Sequence, residues 1–472
     1  MSQPLRLKTY MWPLIGYLTR MNRPGLVAHA LRAITTNFAM PPTRLSDKTP
    51  SRRILILSID KAGVREDIEA VFANASDYEV VIWPSYALRA ISGVLLAPGL
   101  THDRYVTDNP EVEASKLRYR EFLRKVWRHL TAGYPIDAVI GVNFGYYVQR
   151  EFAAALEENG TPFIVLQKEN LNGITQRRAD FWRTVYAKGR GKFTGRKILV
   201  YNDTERDLET SSGIVEPQNV SVVGMPRLDK VHQWRREHAG AAVKRPQVLF
   251  FGFSRKDKVP GRNIDKLKAK GLLTTAASLE RAGDQWKDLS WDHLVTGTCR
   301  GIVAFARSHP GVQVVVKTKG QTTQADETSE LLKDGGELPS NVTIIKGGDP
   351  FELITQSSVI VGFNTTGLIE AVAAGKPVVV PWFGEVHDET MRDLILDLGK
   401  AVDYATSPEE LAGKISEQLT AGATMPSALP ENAKIMLRHL VGNDDGAASA
   451  RVLQAIGVEL DQVLGDKNSP PV

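Results

Sequence analysis

The sequence is short of cysteine: Cys299 is its only one, so no disulfide can form within the chain and no cysteine-based zinc or iron–sulfur framework exists. No apolar run approaches the roughly 18–20 residues that a membrane-spanning helix needs. The apolar stretch MWPLIGYL near the start is short, interrupted by Pro13 and without a small-residue cleavage site, which argues against a signal peptide. A chain confined to the cytoplasm is the expectation. Also missing are a Walker lysine loop, a Gly-x-Ser-x-Gly nucleophile elbow and any pair of histidines at metal-ligand spacing, which weighs against an NTPase, a serine hydrolase and a zinc enzyme. His387, Asp388 and Glu389 form a short cluster, but no metal is expected there.

What is present is an ordinary globular composition, 42% hydrophobic and 24% charged, which excludes disorder over most of the chain. At 472 residues, two domains are the natural expectation. The net charge of +5 is unevenly placed. Residues 1–53 carry nine basic side chains against one acid, Asp47, interleaved with Met11, Trp12, Leu14, Ile15, Tyr17 and Leu18. Such a segment either packs on the domain that follows or lies on an anionic membrane surface. No nucleic-acid-binding motif accompanies the charge, so nucleic acid is not an expected partner.

Aliphatic runs alternate with amphipathic stretches along the rest of the chain. Strands are expected at Arg53–Asp60, Tyr78–Trp83, Asp137–Asn143, Thr161–Gln167 and Arg196–Asn202, with helices between them, and Asn219–Asp229 reads as the final strand of this series followed by a turn. A second series has strands at Gln247–Ser254, Val312–Lys319, Asn341–Gly347, Ser358–Asn364 and Lys376–Trp382. The pattern predicts an α/β fold of two facing Rossmann-like domains with a central cleft, the functional crevice lying at the carboxyl ends of the strands. The boundaries are a basic extension over 1–52, an N-terminal domain over 53–230, a linker over 231–246, a C-terminal domain over 247–445, and a final helix and tail over 446–472.

The most informative stretch is SSVIVGFNTTGLIEAVAAGKPVVVP, residues 357–381. It reads as a buried strand, a polar turn at Asn364, Thr365 and Thr366, a helix stopped by Gly375, and a second strand. A turn that opens a helix offers free N–H groups and the positive end of the helix dipole to a diphosphate, and the two threonine hydroxyls add donors. Glu370 lies one helical turn on, where a carboxylate can accept from ribose hydroxyls. The same residues would equally serve as an ordinary helix cap followed by an exposed glutamate. Lys317 and Lys319 alternate with Thr318, so an extended strand projects both to one side, where they can neutralise a leaving diphosphate. Ser254, in the loop SRKDKVPGR after the first strand of the second series, is a further candidate for donor phosphates. In the first domain, Lys168 and Glu169 follow one strand, Asn143 ends another and Asp60 ends the first. Glu169, with Asp60 as competitor, is placed to take a proton from an acceptor hydroxyl, and Lys168 and Asn143 to contact the acceptor. Tyr186–Lys197, with five basic residues and three glycines, reads as a mobile cationic segment.

The strand, the Asn-Thr-Thr turn and EAVAAGKPVVVP resemble the donor-binding segment of bacterial surface-polysaccharide glycosyltransferases of GT-B type, and are similar to that of teichoic-acid glycerophosphotransferases. VVGMPRLD and HPGVQVVVKTKG resemble, in order, the end of the first domain and the basic strand of these enzymes; the likeness covers about the last 260 residues. The resemblance implies transfer of a sugar from a nucleotide-sugar donor to a glycan or lipid-linked acceptor, with no metal or other cofactor, in the cytoplasm or peripherally at the cytoplasmic membrane face. Two departures stand out. Thr318, Lys319 and Gly320 occupy the place of the relatives' histidine-proline pair, and Gly362 stands eight residues before Glu370, where retaining relatives carry a second glutamate. Rival readings are a sugar-nucleotide 2-epimerase, although SIDKAGVRED lacks the Gly-Thr-Arg-Pro-Glu start associated with those enzymes, a CDP-glycerol-type phosphotransferase, and a catalytically silent polysaccharide-assembly or export subunit.

Overall fold

A computed structural model describes residues 3–38, 52–58, 63–102, 105–168, 170–241, 246–257, 259, 289–319, 322–333, 336–421 and 425–468. The chain forms two compact units. The first comprises 1–229 together with 440–443 and 447–472; the second comprises 230–439 and 444–446.

The first unit is built on a seven-stranded sheet of order β1-β3-β2-β4-β5-β6-β7, with β1 Thr36–Asn37, β2 Arg52–Leu57, β3 Tyr78–Trp83, β4 Ala138–Gly141, β5 Phe163–Leu166, β6 Lys197–Val200 and β7 Val220–Val222. All neighbours run parallel except β1, which pairs antiparallel with β3. The central strands are aliphatic because helices cover both faces, as parallel sheets require. Ile54, Ile56, Ile140, Ile164 and Leu199 are buried in one cluster with Val64, Ile68 and Val71 of the helix Val64–Phe72 and with Val452, Ile456 and Leu460 of the helix Ala448–Asn468. On the other side Trp83 stacks on Phe152 (5.8 Å), and Trp127 meets both rings in T-shaped contacts (6.2 and 5.5 Å). The two indole N–H groups there donate to the hydroxyls of Thr35 and Thr161.

Local signals explain the longest helix of this unit, Pro110–Thr131. Asn109 caps it by accepting from the N–H groups of Glu111 and Val112, Pro110 stands at its first position, Glu111 and Glu113 meet the positive end of the dipole, and Arg128 and His129 the negative end. The N-terminal segment belongs to this unit: the helices Gln3–Arg20 and Pro24–Ile34 bury Ile15, Val27, Leu31 and Ile34 against the helices Tyr86–Leu95 and Pro110–Thr131.

The chain leaves this unit in the helix Leu228–Glu237, so part of the stretch expected as a linker is helical. Its return is fastened at Asp229, whose carboxylate accepts from Asn443 Nδ2 (2.7 Å) and from the N–H groups of Ala448 (3.1 Å) and Ser449 (2.7 Å), capping the last helix. Buried Asp67 and Tyr201 make a triad nearby with the partly buried Arg227. The Tyr201 hydroxyl (2.5 Å) and Arg227 Nη1 (3.0 Å) both donate to Asp67.

Among the described residues the second unit has six strands, all parallel, in the order β10-β9-β8-β11-β12-β13: β8 Gln247–Phe251, β9 Gln313–Thr318, β10 Val342–Lys346, β11 Val359–Gly362, β12 Val378–Pro381 and β13 Asp403–Ala405. Renumbered from β8 as the first strand, this is 3-2-1-4-5-6, the order of a Rossmann dinucleotide-binding fold. Both units are therefore Rossmann-like α/β structures.

Candidate functional site

In a doubly wound sheet the ligand crevice opens where the strand order reverses, outside the carboxyl ends of the strands. In the second unit that point lies between β8 and β11. Gly252, Phe253 and Ser254 leave one strand there; Phe363, Asn364 and Thr365 leave the other and lead into the helix Thr366–Ala373.

The turn has a defined geometry. Asn364 is buried in the left-handed region, φ 50°, where asparagine is among the few tolerated side chains. Its Nδ2 donates to the Leu394 carbonyl (2.9 Å) and its Oδ1 accepts from the Leu396 N–H (2.7 Å). The side-chain amide therefore holds the 394–396 loop, and what the residue offers the crevice is the backbone bend. Thr365 is the N-cap, accepting from the Gly367 N–H at a long 3.4 Å, with Thr366 the first helical residue. A helix start leaves its first N–H groups without intrahelical partners, so donors gather at this point.

Two glycines bring the helix close to the sheet. A Cβ on Gly367 would fall 2.7 Å from the Phe251 ring, and one on Gly362 would fall 3.1 Å from Phe251 Cβ. Gly362, Phe251 and Lys317 stand side by side in register across β11, β8 and β9. The sequence pattern flagged the threonines but not Gly367 or Phe251. The signal was there: a glycine in the first turn of a helix beside a strand that ends in a bulky aromatic.

Lys317 is half-buried. Burial holds its ammonium below the usual lysine range, with Lys319 acting in the same direction and Glu370 and Asp349 pulling the other way. Among the described residues no carboxylate lies within ion-pair distance of Lys317. Glu370, on the helix that Thr365 caps, is nine-tenths buried and contributes to the field at Lys317. Lys319 is differently placed: past the end of β9, it makes an ion pair with buried Asp257. The loop after β8 is anchored inward. Ser254 is buried and its carbonyl accepts from the Asp257 N–H, Arg255 pairs with Asp292 (2.8 Å) and Glu327 (3.5 Å), Lys256 donates to the Leu289 carbonyl, and the Trp291 indole donates to the carbonyl of Asp257.

In the first unit the strand order reverses between β2 and β4. Ser58, just beyond β2, is buried at φ 58° and its hydroxyl accepts from Gln149 Nε2 (3.0 Å). Asn143 follows β4; it is buried, with Oδ1 accepting from the Gly145 N–H (2.8 Å). Lys168 follows β5, partly exposed, its N–H donating to the Val142 carbonyl (3.2 Å). Asn143 and Lys168 thus lie at neighbouring strand ends. Asp60 and Glu169 lie outside the described residues.

The segment expected as a mobile cationic loop is ordered at its start. Tyr186–Arg190 continues the helix Gln176–Val185 as a π-helical turn, and Arg190 is buried. Its guanidinium sits over Phe144 (5.3 Å), Tyr186 (4.8 Å) and Trp182 (5.5 Å). Tyr186 donates to Glu205 (2.8 Å), and burial together with the charge of Glu205 raises the Glu209 carboxyl well above the usual range despite Arg190. The rings of Trp182 and Tyr186 from its own helix and of Phe144 from beyond β4 surround this cation, so glycine and lysine content alone misdirects the expectation.

Among the described residues no group of histidine, cysteine or carboxylate side chains is arranged to hold a metal ion. Asp388 caps a short helix, accepting from the Thr390 N–H (2.8 Å). Cys299 is fully buried, with its thiol pushed up to about 12, and is no nucleophile. No described helix is long and apolar enough to cross a membrane.

No protein-family model matches the chain, and no curated protein matches it. Solved structures align with most of the chain at low identity. A Listeria monocytogenes protein assigned as a UDP-N-acetylglucosamine 2-epimerase is 13% identical with a TM-score of 0.49, over 88% of this chain and 98% of that one. The UDP-GlcNAc 2-epimerase of Methanocaldococcus jannaschii is 12% identical with a TM-score of 0.46, over 86% and 99%. MurG of Acinetobacter baumannii is 14% identical with a TM-score of 0.42, over 87% and 100%.

Proposed function

We propose that the chain is a nucleotide-sugar enzyme, a glycosyltransferase that binds a nucleoside diphosphate sugar at the β8/β11 switch point and passes the sugar to a surface glycan or lipid-linked acceptor. One observation carries the reading: at the reversal of a 3-2-1-4-5-6 sheet, the start of the helix Thr366–Ala373 with its Thr365 and Thr366 hydroxyls follows β11, which a single strand, β8, separates from β9 and its half-buried cation Lys317. A diphosphate is the ligand this combination suits. The helix start supplies N–H donors, and the lysine supplies the countercharge that makes the diphosphate a better leaving group. Glu370 is the acceptor for ribose hydroxyls. In the transfer, the acceptor oxygen bonds to the anomeric carbon as the bond from that carbon to the diphosphate breaks. The acceptor's proton passes to a carboxylate, for which Glu169 and Asp60 are the candidates, and Lys168 and Asn143 are assigned to the acceptor side. Lys319 and Ser254, anchored to the loop after β8, shape the edge of the donor site.

Calorimetric titration with nucleoside diphosphates tests the site. Lys317→Ala and Glu370→Gln should each weaken binding at least about tenfold; unchanged affinity in both sinks the assignment. The products then test the reaction. Conversion of UDP-N-acetylglucosamine without any acceptor would replace transfer by epimerisation, and release of a nucleoside monophosphate would replace it by phosphotransfer.

A further inference from the structure

The helix Gln3–Arg20 has two apolar faces, and its fold accounts for only one. Ile15 is fully buried and Gly16 approaches the backbone of Ala90 closely enough that an added Cβ would lie 3.8 Å from its carbonyl, so that face is packed. On the other face Tyr10, Leu14, Tyr17 and Met21 follow one another at i, i+4, i+7 and i+11 and are 75%, 43%, 57% and 51% exposed. Met21 stays on the stripe because its N–H donates to the Tyr17 carbonyl (3.0 Å). The stripe is about 16 Å long at 1.5 Å per residue. With Trp12 and Leu26 it accounts for six of the ten large apolar side chains exposed among the described residues, all within residues 10–26. Isolated exposed apolar residues need no explanation, but a concentrated patch does.

The charge of the segment that carries the stripe is of one sign. Residues 1–46 contain Arg6, Lys8, Arg20, Arg23, Arg32 and Arg44 and no acid at all, and Arg20 and Arg23 are exposed beside Tyr17 and Met21. We propose that this face, Tyr10–Leu14–Tyr17–Met21 with Arg20 and Arg23, docks on the surface of an anionic lipid bilayer, lying in the plane of the headgroups. Tyrosine and tryptophan sit at that depth with ring inserted and polar tip in water, leucine and methionine enter the acyl boundary, and the arginines reach anionic headgroups. A second copy of the chain is the weaker occupant: two such stripes face to face would bring the arginines of both together with no carboxylate in the segment to offset them. The proposal stands apart from the nucleotide site.

Flotation of the full chain with vesicles of mixed phosphatidylcholine and phosphatidylglycerol, against vesicles of phosphatidylcholine alone, tests it. Binding is expected to the anionic vesicles and to fall with added salt. Leu14→Ser with Tyr17→Ser should lower the partition coefficient at least about tenfold, and Arg20→Gln and Arg23→Gln about fivefold each. All four residues are exposed, so the far-ultraviolet circular dichroism and the unfolding midpoint should not move. Equal binding to both vesicle types, no binding to either, or retention of binding by both sets of variants would overturn the proposal. So would a dimer in solution that Leu14→Ser splits, which would assign the stripe to a second copy.

Discussion

Replacing Asn364 by alanine should loosen the candidate site by an amount that can be worked from its contacts. The side chain makes two hydrogen bonds, 2.9 Å to the Leu394 carbonyl and 2.7 Å from the Leu396 N–H, each worth about 1 kcal/mol net. Alanine loses both. It must also adopt φ 50°, at a further cost of about 1 kcal/mol, for a total near 3 kcal/mol. Glycine loses the same bonds but accepts the backbone, so Asn364→Gly should be milder by about 1 kcal/mol. Because two units need not unfold together, a single melting temperature is a poor readout. Hydrogen exchange, followed by mass spectrometry on peptides that include Leu396, reads the local change. Faster exchange in the order wild type, glycine, alanine is expected. Identical protection in alanine and glycine variants would show that the left-handed backbone carries no cost there, and wild-type protection in both would refute the whole account.

Lys317 gives a pH signature. Burial lowers its folded pKa, so the unfolded chain holds a proton that the folded chain has shed. The stability of the free protein should therefore rise with pH between that lowered value and the ordinary lysine pKa, and diphosphate binding should weaken over the same interval as the ammonium is lost; Lys317→Met should abolish both slopes. Arg227→Ala strands the buried Asp67 carboxylate, whose pKa burial already raises, and should cost about 3–5 kcal/mol. That loss should be larger at neutral than at mildly acid pH, and Asp67→Asn in the same chain should recover part of it, by urea denaturation. Cys299 should resist a maleimide in the folded protein and react only on unfolding. Gly367→Ala, which sets a methyl against the Phe251 ring, should destabilise by about 1–3 kcal/mol.

Local pattern revealed most of the sheet architecture and little of what polar side chains do within it. Aliphatic runs such as RRILIL and YEVVIW can only be covered strands, and their alternation with helices implies parallel sheets. The Asn364–Thr366 turn was legible because a polar triplet between a strand and an apolar helix has few other roles. The roles of Lys319, Arg255 and Arg190 were not legible, since each depends on a partner far away in sequence: Asp257, Asp292 and the ring of Phe144 respectively. The destination of the last helix was hidden for the same reason. An amphipathic pattern says that Val452, Ile456 and Leu460 are buried, not against which strands.

The fastening at Asp229 has a consequence for how the protein comes into being. The first unit is interrupted by the second and completed only by residues 440–443 and 447–472. At about 5–20 residues per second, the ribosome needs roughly 10–40 s to make the intervening stretch. Throughout that time the strands β2 and β4 and the helix Val64–Phe72 lack the side chains of Val452, Ile456 and Leu460 that cover them. The second unit, contiguous apart from three residues, can close while the nascent first unit still has an uncovered apolar flank. The order of completion thus runs opposite to the order of synthesis, and the last helix is a late-arriving stave without which the earlier-made half stays open to chaperones and proteases.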